Sequence, residues 1–145
     1  MTNENLQNLA YAANQIVHNF GAVAVVGGAA CALAWRNAEV QRGLAWVVLA
    51  GWMTQAASGA TFGAISFAFY GKFPDIHGIA IAALIVKVIC AISGFTLAVR
   101  QLFAHPGARP KVFRFSEESS RHAWIALCVL GALALSSAAV LRWFS

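Results

Sequence analysis

The sequence predicts an all-α membrane protein: four transmembrane helices in an up-down-up-down bundle, with both termini on the non-cytoplasmic side. Three observations predict it. The chain of 145 residues is 60% hydrophobic and only 10% charged, whereas soluble domains carry about 25% charged residues. Its apolar residues gather into four stretches, each long enough to cross a hydrocarbon core of about 30 Å. Its basic residues bunch in alternate connections between those stretches, as the positive-inside rule requires. No linker, repeat or low-complexity tract divides the chain, so residues 1–145 read as one domain.

Span one covers residues 14–35. The polar stretch before it, with Leu6, Leu9, Ala10 and Tyr11 interspersed, either starts the helix early or lies along the interface. That start has no basic region ahead of a short apolar core and no small-residue cleavage site, so no removable signal peptide is expected. Span two covers 44–70, long enough to tilt or to end among the headgroups. Span three covers 77–99, with Asp75 as the expected cap of its helix. The segment 100–121 is the one sizeable loop, because Pro106 and Pro110 cannot continue a helix. Span four covers 122–144. Ser116 followed by Glu117 and Glu118 reads as an N-cap with acid in the first turn.

Arg36 and Arg42 fall in the first connection, and Arg100, Arg109, Lys111, Arg114 and Arg121 in or beside the third. Only Lys72 and Arg142 fall at the other end. This asymmetry places the first and third connections in the cytoplasm, and the expected location is a bacterial inner membrane. It also accounts for the net charge of +5 without a nucleic-acid partner. Trp35, Trp46 and Trp124 fall near the inner interface and Trp143 near the outer one, as an aromatic belt; Trp52 is deeper and reads as packing. Gly59 and Gly63 form a GxxxG pair in span two, and Gly21, Gly28 and Ala32 share one side of span one. These small residues argue for close packing against a neighbouring helix or a partner subunit. Cys31, Cys90 and Cys128 fall in three different spans with no zinc-like spacing, so they read as small buried apolar residues.

The stretch from His77 to Val99 raises the functional question. As a helix it spans about 35 Å, and it carries Lys87 near its middle. A lysine at that depth costs about 2.5–3.5 kcal/mol on insertion scales, and no acid lies within any span to offset it. Three readings compete for Lys87. It snorkels or bonds to neutral polar groups such as Thr54, Gln55, Ser58, Thr61 and Ser66. It balances an anionic group in the bundle: a haem propionate, a quinone oxygen or a substrate carboxylate. Or it pairs with an acid on a partner subunit.

Four histidines are present. The topology puts His18 and His77 at the outer side, on two helices, and His105 and His122 at the inner side. Opposed imidazoles across a bundle are the axial ligands that a b-type haem needs. Gly21, Ala22, Val25, Gly28 and Ala29 follow His18 on one helix face and would give such a group room. His18 and His77 therefore read as candidate haem ligands, with Lys87 as a further cofactor-binding residue. The same pair is a candidate copper site, although two histidines make an incomplete one. Against this stands the plain reading: His18 a core histidine bonded to a neighbour, His77 and His122 helix-end residues, His105 a loop residue.

The run HNFGAVAVVGGA at 18–29 and the run HGIAIAALIVKV at 77–88 look like the CopD-like copper-resistance membrane proteins. They are also similar to the HemJ-type protoporphyrinogen oxidases, small helical membrane proteins associated with haem. The resemblance covers spans one and three. It implies a helical bundle with His18, and His77 with it, at a haem or copper site and Lys87 nearby.

The leading expectation is a small b-type haem-binding subunit that transfers electrons between quinone and a redox partner. No nucleophile or acid–base constellation suggests other chemistry. The alternative is a cofactor-free accessory or assembly subunit, held in a larger complex or a homo-oligomer by its glycine faces and Lys87. The third is a metal or small-molecule transporter.

Overall fold

A computed structural model describes residues 2–73, 76–103 and 117–144. It forms four α-helices: α1 (Asn3–Ala34), α2 (Ala38–Tyr70), α3 (Ile79–Phe103) and α4 (Glu117–Phe144). Each helix packs on its neighbour in the chain, and α1 also packs on α4, so the four close into a square. The protein is an all-α four-helix bundle. Among the described residues, α1, α3 and α4 are long and apolar enough to cross a membrane. Large apolar side chains such as Phe20, Val23, Met53 and Ile92 point outward, as lipid contact demands. The expectations for Asp75, His105 and Ser116 lie outside the described residues.

α1 and α2 start earlier than their apolar runs because their first turns are capped by polar residues. Thr2 caps α1 by accepting the Asn5 N–H, so the polar leader belongs to the helix. Asn37 caps α2 by accepting from the Glu39 and Val40 N–H groups. The turn between α1 and α2 is clipped by Gln41, whose Nε2 donates to the Ala32 and Trp35 carbonyls at 3.0 Å each. At the other end α2 stops at Gly71, φ 67°, whose N–H returns to the Phe67 carbonyl. A left-handed residue there is what glycine supplies at least strain.

The core is built where small residues let helices approach. On α1 the buried positions are His18, Gly21, Ala22, Val25, Gly28, Ala29 and Ala32, the face expected from their spacing. A Cβ at Gly28 would stand 2.9 Å from Val48, and one at Gly51 2.9 Å from the Gly21 carbonyl. α1 and α2 therefore touch nearly backbone to backbone, antiparallel. Gly131 brings α4 against Val25 and Val26 of α1 in the same way. The Gly59 and Gly63 pair does not join the bundle. A Cβ at Gly59 meets nothing within 4 Å, and one at Gly63 meets only Phe73.

Two tryptophans fill the centre. Trp52 is 2% exposed and lies against Gly94 so closely that any Cβ there would overlap its indole. Trp124 is fully buried, which corrects its placement in an interfacial belt. Trp35 and Trp143 stand exposed at helix ends, and Trp46, also exposed, lies about two turns inside α2. Trp124 turns inward because it lies three residues before Leu127, on the same buried face of α4. Neither buried indole N–H has an acceptor among the described residues. Ring burial outweighs the unmade bond. Cys31, Cys90 and Cys128 are free thiols on three separate helices.

Candidate functional site

The site forms one layer of the bundle, where α1, α2 and α3 all turn polar side chains inward. On α3 the buried stripe runs Ala80, Ala83, Cys90, Gly94, Ala98 and Gln101. Lys87 stands four residues after Ala83 and three before Cys90, so it occupies a core position of that stripe. His18 occupies the equivalent position on α1 and is 6% exposed. The backbones of α1 and α3 do not pack together among the described residues. The lysine side chain crosses the diagonal between them and sets Nζ 3.3 Å from His18 Nε2.

The direction of each bond follows from its neighbours. The Ser58 hydroxyl donates to the Thr54 carbonyl, which leaves its oxygen free to accept. His18 Nδ1, 2.7 Å from that oxygen, is then the protonated nitrogen of the neutral ring. Nε2 keeps its lone pair and accepts from Lys87. Gln55 donates to the His18 carbonyl, and Asn14 donates to the Ser58 carbonyl at 2.9 Å. These bonds fasten α1 to α2 on both sides of the imidazole. Phe62 meets the His18 ring edge-on at 5.7 Å, and Tyr11 stacks on Phe62 at 6.2 Å. The Lys87 ammonium has donors beyond the one given to His18. It is only part-buried, and no acid lies with it among the described residues.

Of the residues singled out in the sequence, the structure brings His18 and Lys87 together. His77 lies two residues before α3, exposed, with its carbonyl accepting the Ala80 N–H. About 12 Å of helix separates the start of α3 from Lys87. His122 is exposed in the second turn of α4. No group of three or more His, Cys, Asp and Glu side chains able to hold a metal occurs among the described residues. Asn14, Phe62 and Tyr11 belong to the layer and were missed. Asn14 and Tyr11 stand four and seven residues before His18, a helical spacing that placed them on its face.

A b-type haem can be tested against these residues. The donor chemistry fits, because a ligating imidazole is ordinarily held through its other nitrogen, as Ser58 holds Nδ1 here. The space does not fit. The small residues expected to make room are filled by α2: a Cβ at Gly21 would already lie 3.0 Å from Thr54. The crevice beside the layer, bounded by Ala22, Val25, Trp52, Gln55, Gly131 and Ala134, holds about one water. Among the described residues the packing at this layer leaves no slot for a porphyrin. What the layer offers is a neutral imidazole behind a cation, with unused donors at the edge of the bundle. No family model, curated protein or solved structure matches this chain.

Proposed function

We propose that the chain is a small redox subunit of a bacterial inner membrane, and that Lys87 with His18 behind it forms the binding site for a quinone headgroup. The observation that carries this reading is the lysine itself. It stands on the core stripe of α3, part-buried, with donors to spare and no carboxylate beside it among the described residues. A cation so placed is favoured when an acceptor oxygen sits against it. The acceptor must come from the lipid side, since the core is filled. It must be membrane-soluble and tolerate an aromatic wall, which Phe62 and Tyr11 provide. A quinone carbonyl meets all three demands. Electrons would then pass to or from a partner subunit docked on the bundle. The up-down-up-down path with both termini outside, which the arginine asymmetry favours, puts this layer in the outer half of the membrane.

Quinone binding to the protein in phosphatidylcholine nanodiscs, read from tryptophan quenching, tests the site. Wild type is expected to saturate. Lys87→Met, which keeps the length and loses the donors, is expected to bind about tenfold to a hundredfold more weakly, the equivalent of a lost charged hydrogen bond. Equal binding by both proteins would overturn the proposal.

A second reading, the b-type cytochrome, is favoured by the Ser58 bond to Nδ1 alone. It requires Lys87 to leave Nε2 and α1 to part from α2. An oxidised-minus-reduced spectrum of freshly purified protein decides it: a haem band abolished by His18→Ala supports a cytochrome, and a flat spectrum removes it.

A further inference from the structure

The hairpin joining α1 to α2 combines features that the redox reading does not use. Arg36 lies in the connection and Arg42 in the first turns of α2, both exposed. Trp35 and Trp46 flank them, 56% and 59% exposed. Arg42 and Trp46 are four residues apart and share one face of α2. The Gln41 clip fixes the turn that carries these residues, since its side chain reaches from α2 back to the Ala32 and Trp35 carbonyls at the end of α1. Glu39 is the acid nearest them, one turn from Arg42. Neither arginine has an ion-pair partner among the described residues. The N-terminus of α2 adds its partial positive charge at the same point.

We infer that this hairpin is a headgroup site for an anionic phospholipid. Arg36 and Arg42 take the phosphate, as guanidinium groups do with planar forked donors. Trp35 and Trp46 sit at the glycerol and upper acyl level, where indoles partition. Charge selects the occupant: an anionic lipid neutralises both arginines, and a zwitterionic one brings its own cation. The fixed turn presents the two charges together, which a floppy basic loop would not do. The site lies at the opposite end of α1 from Thr2 and does not involve Lys87 or His18.

Native mass spectrometry of the full chain from nanodiscs of phosphatidylcholine, with and without phosphatidylglycerol, tests the inference. Wild type is expected to retain phosphatidylglycerol at a defined stoichiometry and to show a higher unfolding midpoint in the mixed discs. Arg36→Gln with Arg42→Gln is expected to lose the bound lipid and the shift together. Arg109→Gln with Lys111→Gln removes the same charge from the other basic connection and is expected to keep both. Loss in both double variants would mean a diffuse attraction and overturn a site. So would retention in both, or reproduction of the midpoint shift by inorganic phosphate in phosphatidylcholine discs.

Discussion

Two adjacent layers of one bundle are held by different physics. The layer of His18, Ser58 and Lys87 is held by hydrogen bonds of fixed direction. The layer just beyond it is held by shape: the Trp52 indole lies flush against Gly94, with Gly51 and Gly21 in near backbone contact beside it. In lipid there is little hydrophobic gain in bringing helices together, so close packing and polar bonds must supply the attraction. Here the two means are separated by about two helical turns on α3, from Lys87 to Gly94. In the proposed quinone site, this separation would leave the polar layer available to a ligand. Its donors can change partners while the Trp52 layer keeps the helices in register.

The largest effect should come from the shape layer. Gly94→Ala places a methyl group inside the Trp52 ring system, and the indole is a rigid obstacle. Overpacking of this kind costs about 1–3 kcal/mol. A fall of that size in unfolding free energy, measured in mixed micelles, is expected. Trp52→Phe removes the overlapping ring, so adding it to Gly94→Ala should recover part of the loss. A harmless Gly94→Ala would erase the distinction between the layers.

The polar layer should respond less in stability and more in binding. Ser58→Ala leaves the His18 Nδ1–H without its acceptor. An unmet buried donor costs about 1–3 kcal/mol in general, but measured membrane hydrogen bonds average about 0.6 kcal/mol. The expected loss is therefore below that of Gly94→Ala, about 1 kcal/mol. The imidazole is then free to change tautomer, and Nε2 no longer presents a fixed lone pair to Lys87. Quinone affinity should fall along with the small loss of stability. If stability falls and binding does not, Ser58 is a packing residue and the layer is structural.

Much of this was legible before any coordinates. Four helices and their order follow from hydropathy and length, because a bilayer sets both. His18 and Lys87 were each legible as a polar residue within a span, but depth paired His18 with His77, and the structure sets it against Lys87 instead. What pairs with what was not legible. Ser58 is one of five polar residues between positions 44 and 70, and only helix rotation selects it. His77 illustrates the converse. Its apolar run begins at 77, but the helix begins at Ile79, so it stands at the mouth of α3, away from the layer of His18. Trp124 was read by depth as interfacial, and its buried face settles otherwise. The glycines divide in the same way. Gly59 and Gly63 carry the recognisable spacing and stay open, whereas Gly94, with no motif around it, makes the tightest contact. Spacing tells which residues share a face, and the partner of that face is a property of the whole bundle.

The smallest expected effect sharpens that last contrast. A Cβ at Gly59 meets nothing within 4 Å, and its neighbours Ala56 and Ala60 are exposed. Gly59→Leu should leave the unfolding free energy of the isolated chain within about 0.5 kcal/mol of wild type, as for substitutions away from packed features. Leucine is also the better helix former, by up to about 1 kcal/mol, so slight stabilisation is the more natural sign. The same variant gives a second readout on protein extracted with its native partners. If the open stripe seats a partner subunit or a second copy, a leucine side chain there forces the helices apart, and the complex should fall to monomer while the monomer stays intact. If the stripe faces only lipid, the leucine replaces acyl contacts with its own, and the complex should be unchanged. Gly59 and Gly94 would then be opposite cases on two helices of one bundle: a glycine whose space belongs to lipid, and a glycine whose space belongs to Trp52.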